Sequence, residues 1–236
     1  MQIRLMCNVA LFALMMSPAA DNGVSPKPMM GDASTLTTEQ ASGGLKEALS
    51  RGVTTAVSET GRPGGFENNP LIKITMPEKL RTVEKGLRAI GMGAKVDEFE
   101  HSMNAAAEEA APAAKSIFMD ALKSMSFADA KQIVMGGNTA GTDYFKRTTS
   151  TQVSEAFKPI IEREMAKTGV TEKFNAMMGS APQMPFGKTP SVDINGYVLE
   201  KSVDGMFTMM GQEEAKIRTN PSAQVTPLLK SVFGKF

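Results

Sequence analysis

Four polar residues at the start of one predicted helix have the types and spacing to bind an anion: Asp143, Tyr144, Arg147 and Thr148. The pairs Asp143/Arg147 and Tyr144/Thr148 are each four residues apart, which places each pair on one helix face. A glycine-containing turn, residues 136–141, precedes them, and the free N–H groups of a helix N-terminus attract anions. The spacing is not that of a Walker loop. A capped helix with a surface ion pair is the alternative.

A second polar row follows a longer predicted helix and consists of Asp97, Asn104, Glu108 and Lys115. A helix turns by about 100° per residue, so this row lies beside the apolar stripe of the helix and not opposite to it. We expect the row to join the Asp143/Arg147 segment in a buried polar network or to line a cleft. Paired carboxylates in such a cleft could do acid–base chemistry. A solvated helix edge is the alternative.

These two groups supply six candidate ligand-binding residues: Asn104, Glu108, Asp143, Tyr144, Arg147 and Thr148. We assign no catalytic residue, because the sequence has no nucleophile elbow, zinc-binding helix motif or dinucleotide fingerprint. A single His and a single Cys exclude multi-histidine and cysteine-ligated metal sites, so we assign no metal and no cofactor. We expect His101 at the surface. The 19 methionines favour core packing over Cu(I) binding.

The chain has 236 residues, and its 26 basic residues nearly balance 25 acidic ones. This near-zero net charge argues against nucleic acid as a partner. Apolar residues recur at helical spacing from residue 39 onward, and no strand-like alternation persists. The pattern predicts an all-α fold over residues 39–236, a single domain of seven to eight helices in an irregular bundle. Pro112 and Pro159 should kink or break their helices.

The first 20 residues are typical of a signal peptide: Arg4, an apolar run over 5–16, and small residues at Ala19 and Ala20. A buried N-terminal helix is the alternative. Residues 21–38 are rich in Pro, Gly, Ser and Thr, which predicts a flexible leader. We therefore expect an exported, periplasmic protein with no membrane span after signal cleavage, since the apolar run is shorter than the about 20 residues that a spanning helix needs.

Five segments in this order resemble one bacterial family, the domain-of-unknown-function family numbered 4197: residues 44–57, 64–93, 99–137, 139–150 and 204–221. The resemblance covers nearly all of residues 40–236. It implies a mostly helical, exported protein, and it implies no activity.

The first functional hypothesis is a non-enzymatic periplasmic protein that binds a protein partner or an apolar, lipid-like ligand. The absent catalytic motifs, the Ala-rich centre of the long helix and the many methionines favour it. One alternative is an enzyme with a polar cleft built from Glu108, Asp143, Tyr144 and Arg147. Another is a structural subunit of an envelope complex. The sequence leaves the oligomeric state open.

Overall fold

The computed structural model describes residues 38–179 and 192–234, so the expected signal peptide and almost all of the leader lie outside the described residues. The described chain contains helices and turns and no strand, which confirms the all-α prediction. The helices are α1 (Thr38–Gly61), α2 (Arg81–Ala89), α3 (Gly93–Ala110), α4 (Ala114–Ser124), α5 (Phe127–Met135), α6 (Ala140–Lys167), α7 (Val170–Gly179), α8 (Ile194–Thr219) and α9 (Pro227–Phe233).

The long helices α1, α6 and α8 form the centre of the bundle, and α3 packs against all three of them. Aromatic rings pack together in the core where α4 meets α6 and α8. Phe118 packs edge-on against Phe145 and Phe207, with ring centroids 5.5 and 5.7 Å apart. Met103, Met165 and Met206 are also fully buried, so these methionines fill the core.

The two internal prolines have different effects on their helices. Pro112 lies in a 3-10 turn, Ala111–Ala113, which separates α3 from α4, as predicted. Pro159 lies inside α6, which remains helical from Ala140 to Lys167. Its ring is on the exposed side of the helix, where water can reach the carbonyl group that loses its partner.

The longest non-helical connection in the described residues between 38 and 179 is the segment 62–77, which we call the strap. Its apolar residues Phe66, Ile72, Ile74 and Met76 are buried, and Lys73 and Thr75 between them are exposed. The strap lies close to α8 at Gly205, where an added Cβ would come within 2.6 Å of the Phe66 ring. Glycine at this position therefore allows the strap to pack directly against the helix.

Candidate functional site

Asn104, one of the candidate ligand-binding residues, holds the strap against α3. Its side chain is fully buried. The Ile74 N–H donates to Asn104 Oδ1 at 2.8 Å, and Asn104 Nδ2 donates to the Ile74 carbonyl oxygen at 2.8 Å and to the Glu100 carbonyl oxygen at 2.7 Å. Because both the oxygen and the nitrogen of its side-chain amide bond to the backbone of Ile74, Asn104 is a positioning residue for the strap.

Glu108 has the same role one turn further along α3. Its carboxylate accepts hydrogen bonds from the backbone N–H groups of Gly64, Phe66 and Glu67, at 3.0, 2.9 and 3.1 Å. One turn before Asn104, the buried Glu100 accepts from the Met76 N–H at 2.8 Å. Glu100, Asn104 and Glu108 thus form a ladder that binds the strap along its length. Glu100 is not among the six candidate residues, although its spacing of four residues from Asn104 could have indicated it.

The expectation that Asp143 and Arg147 join a buried network with Asn104 and Glu108 is wrong. Both side chains are exposed. Asp143 Oδ2 lies 3.5 Å from the Thr139 hydroxyl, and the Arg147 guanidinium lies 5.8 Å from the centre of the Tyr144 ring. The physical reason is the orientation of α6, which buries Tyr144 and Phe145 and turns the neighbouring charges outward.

The other two candidates, Tyr144 and Thr148, line an open groove of about 590 Å³ between α4 and α6. The Tyr144 hydroxyl lies 3.5 Å from the Ala121 carbonyl oxygen, and burial raises the pKa of this phenol. The Thr148 hydroxyl donates to the Tyr144 carbonyl oxygen at 2.9 Å. The six candidates therefore fall into three groups: two hold the strap, two line this groove, and two are surface charges of α6.

The N-terminus of α6, which the sequence suggested as an anion site, binds a carboxylate of the protein itself. Glu214 of α8 accepts hydrogen bonds from the Gly141 N–H at 2.8 Å and from the Thr142 N–H at 2.7 Å. Arg218 donates to the same carboxylate at 2.9 Å, and the side chains of Glu214 and Arg218 are only 5 and 8% exposed. An internal carboxylate thus satisfies two of the free N–H groups at this helix end.

A charged row at the end of a helix is ordinarily a solvated face, but Glu214 and Arg218 near the end of α8 are buried. Their spacing of four residues predicts an ion pair but gives no sign of its burial. The buried Met210 and Ile217 on the same helix were the available signal. Gly141 supports the arrangement, since a Cβ there would lie 2.3 Å from Leu49 Cδ2 and 2.9 Å from the Glu214 carboxylate.

An apolar groove of about 440 Å³, the α1–α5 groove, lies between the start of α1 and the surface of α5. Its lining residues are Ala41, Ser42, Phe127, Ala130, Lys131, Val134 and Met135. Helix α5 is fixed at its start by a capping interaction, in which the Asp129 N–H donates to the Ser126 hydroxyl at 3.1 Å. Phe127 and Met135 are nevertheless 51 and 76% exposed.

Three further observations concern metal binding, the single histidine and membrane insertion. Within residues 38–179 and 192–234, no three His, Cys, Asp or Glu side chains are arranged to bind a metal ion. His101 is at the surface as expected, where its Nδ1 contacts Glu67 of the strap. No helix in the described part of the chain is long and apolar enough to cross a membrane.

Comparison with known proteins places the chain in one family. Searches of curated proteins and of solved structures found no match. A family model described as "protein of unknown function (DUF4197)" matches residues 35–234, which include every helix described above. The chain therefore belongs to the DUF4197 family.

Proposed function

We propose that the protein is a non-enzymatic, exported binding protein that holds an amphipathic helix of a protein partner in the α1–α5 groove. Export rests on the signal peptide expected from residues 1–20. The observation that supports the binding role is the exposure of Phe127 and Met135 beside a groove lined mainly by apolar side chains. Clustered exposed apolar groups of this kind mark interaction surfaces.

The spacing of the groove residues suits a helical partner. Phe127, Lys131 and Met135 follow one another at intervals of four residues, so they lie along one face of α5. Opposite them, Ala41 and Ser42 of α1 are small and leave space for the side chains of a partner. An amphipathic helix places its apolar side chains in such a groove at the same intervals.

The open shape of the groove favours a protein over a free lipid. Sites for small apolar ligands bury about 70–90% of the ligand surface. The α1–α5 groove has walls from two helices only, so a lone acyl chain would keep much of its surface in water. A partner helix brings its own cover of polar residues.

The charge of the groove adds a preference for acidic partners. Lys131 lines it and has no ion pair among the described residues. An acidic side chain on the polar edge of the partner helix could therefore pair with it. Met135 can adapt its unbranched side chain to the shape of that helix.

Site-specific photocrosslinking in the native host tests this proposal. A photoreactive phenylalanine analogue replaces Met135 in one variant and Ile90 in a matched control. Ile90 is 54% exposed but lies at the end of α2 and is not a groove residue. We expect one protein adduct from position 135 and none from position 90. The Phe127→Ser substitution should reduce the adduct from position 135, because it removes the largest apolar wall of the groove.

Four outcomes would contradict the proposal. Equal adducts from positions 90 and 135 would show unspecific contact. An adduct with the mass of two copies of this chain, together with dimers in sedimentation, would assign the groove to self-association. A lipid adduct alone would assign it to an apolar ligand. Copurification of a partner at fixed stoichiometry, unaffected by Phe127→Ser, would fit a structural subunit of an envelope complex instead.

A further inference from the structure

The strap and the first half of α8 form a second concave surface, which we call the strap–α8 cleft. Its volume is about 400 Å³. Lys73 and Thr75 of the strap line one side, and Tyr197, Lys201 and Thr208 of α8 line the other. Arg81, at the start of α2, lies at one end. The cleft thus combines three basic side chains with three hydroxyl groups.

The wall formed by the strap is held in place before any ligand binds. Glu100 and Asn104 fix the backbone of Met76 and Ile74 on the side of α3. On the side of α8, the Tyr197 hydroxyl donates to the Thr75 carbonyl oxygen at 3.0 Å. Alternation along an extended chain then turns Lys73 and Thr75 away from the core. A site built on fixed backbone loses little conformational entropy on binding.

Two of the basic residues lack an acidic partner. Neither Lys73 nor Lys201 forms an ion pair among the described residues, and Lys201 lies over the Tyr197 ring, 5.8 Å from its centre. The two acidic residues of the lining have other partners: Glu78 lies 3.6 Å from Arg81, and Asp204 lies 3.8 Å from Lys146 outside the cleft. The cleft therefore has positive charge that its own acids do not neutralise.

We infer that the strap–α8 cleft binds a small, doubly charged oxyanion of the phosphate type. Lys73 and Lys201 supply charge from opposite walls, and lysine binds phosphate as a point charge. The Thr75 hydroxyl supplies a further hydrogen bond, whereas the Thr208 hydroxyl donates to the Asp204 carbonyl oxygen at 2.8 Å and only lines the cleft. The Tyr197 phenol is neutral at physiological pH, as an ordinary tyrosine is, and does not oppose an anion. Burial raises its pKa further. This site is separate from the α1–α5 groove and does not depend on the proposed function.

An NMR titration of the isotope-labelled mature chain with inorganic phosphate at low ionic strength tests the inference. We expect saturable shifts of the Thr75 and Tyr197 amide signals. Lys73→Gln and Lys201→Gln should each weaken phosphate binding about tenfold, the effect of losing one charge-assisted hydrogen bond. The matched control is Lys79→Gln, which removes the same charge from an exposed residue outside the lining. It should change the affinity less than about twofold.

Further arms of the experiment identify the source of the anion. Acetate, which carries one charge, should bind more weakly than phosphate at equal ionic strength. Vesicles with phosphatidic acid that shift the same amides would place the phosphate on a lipid headgroup, and shifts with free phosphate alone would place it on a soluble ligand. No saturable shift with either probe would overturn the inference. So would a loss of affinity in Lys79→Gln equal to that in Lys73→Gln, because binding would then follow net charge only.

Discussion

Replacing Glu108 with alanine should detach one end of the strap from α3 and strongly destabilise the fold. The carboxylate accepts three backbone N–H groups, from Gly64, Phe66 and Glu67. A hydrogen bond to a charged group contributes about 1.5–3 kcal/mol. Glu108 is only half-buried, so water can replace part of each bond. We therefore expect a loss of about 3–4 kcal/mol in the free energy of unfolding, below the roughly 4.5–9 kcal/mol that three fully buried bonds of this kind would contribute.

The neighbouring residue provides a matched control for this prediction. Glu109 is exposed and lies next to Glu108 in the same helix, so Glu109→Ala should change stability by about 0.5 kcal/mol or less. Glu108→Gln keeps the size of the side chain but turns one acceptor into a donor, and it should fall between the two alanine variants. Urea unfolding followed by far-UV circular dichroism measures all three. A Glu108→Ala variant as stable as Glu109→Ala would refute the role of the carboxylate in holding the strap.

Three further predictions follow from buried and exposed charges. Glu214→Ala should lower the free energy of unfolding by about 3–5 kcal/mol in the same assay, because it leaves the charge of Arg218 buried without its partner. Asp143→Ala and Arg147→Ala should each change the free energy of unfolding by no more than about 0.5 kcal/mol, since both residues are exposed. A larger loss would show that these residues do belong to a buried network. The pKa values of both tyrosines should lie above that of free tyrosine in a spectrophotometric titration, and return to it in urea. Because the folded state raises them, stability should fall as the pH rises from the ordinary tyrosine range through the raised values.

The helices could be predicted from the sequence because their apolar residues repeat at a helical period, and the break at Pro112 follows from its missing N–H group. Pro159 shows that an internal proline does not always end a helix, because α6 continues through it. The chemistry of proline is the same at both positions, but the exposed side of α6 tolerates the lost hydrogen bond. Only the packing of the bundle decides which side of a helix is exposed.

The roles of polar residues were harder to predict for the same reason. Spacing placed Asn104 and Glu108 on one flank of α3, but it could not show that the strap would use their hydrogen-bonding groups. Asp143/Arg147 and Glu214/Arg218 are both pairs four residues apart, so spacing alone does not distinguish them. The structure exposes the first pair and buries the second, because α8 and not solvent faces the N-terminus of α6.

The central claim, that the α1–α5 groove binds a partner helix, is tested most directly by the affinity of that partner for two charge variants. Once crosslinking has identified the partner, calorimetry with the purified protein compares Met135→Glu in the groove with Ile90→Glu outside it. A charge buried against an apolar helix should weaken binding at least about tenfold at position 135, and the control should stay within about twofold of wild type. Equal affinities of the two variants would contradict the account.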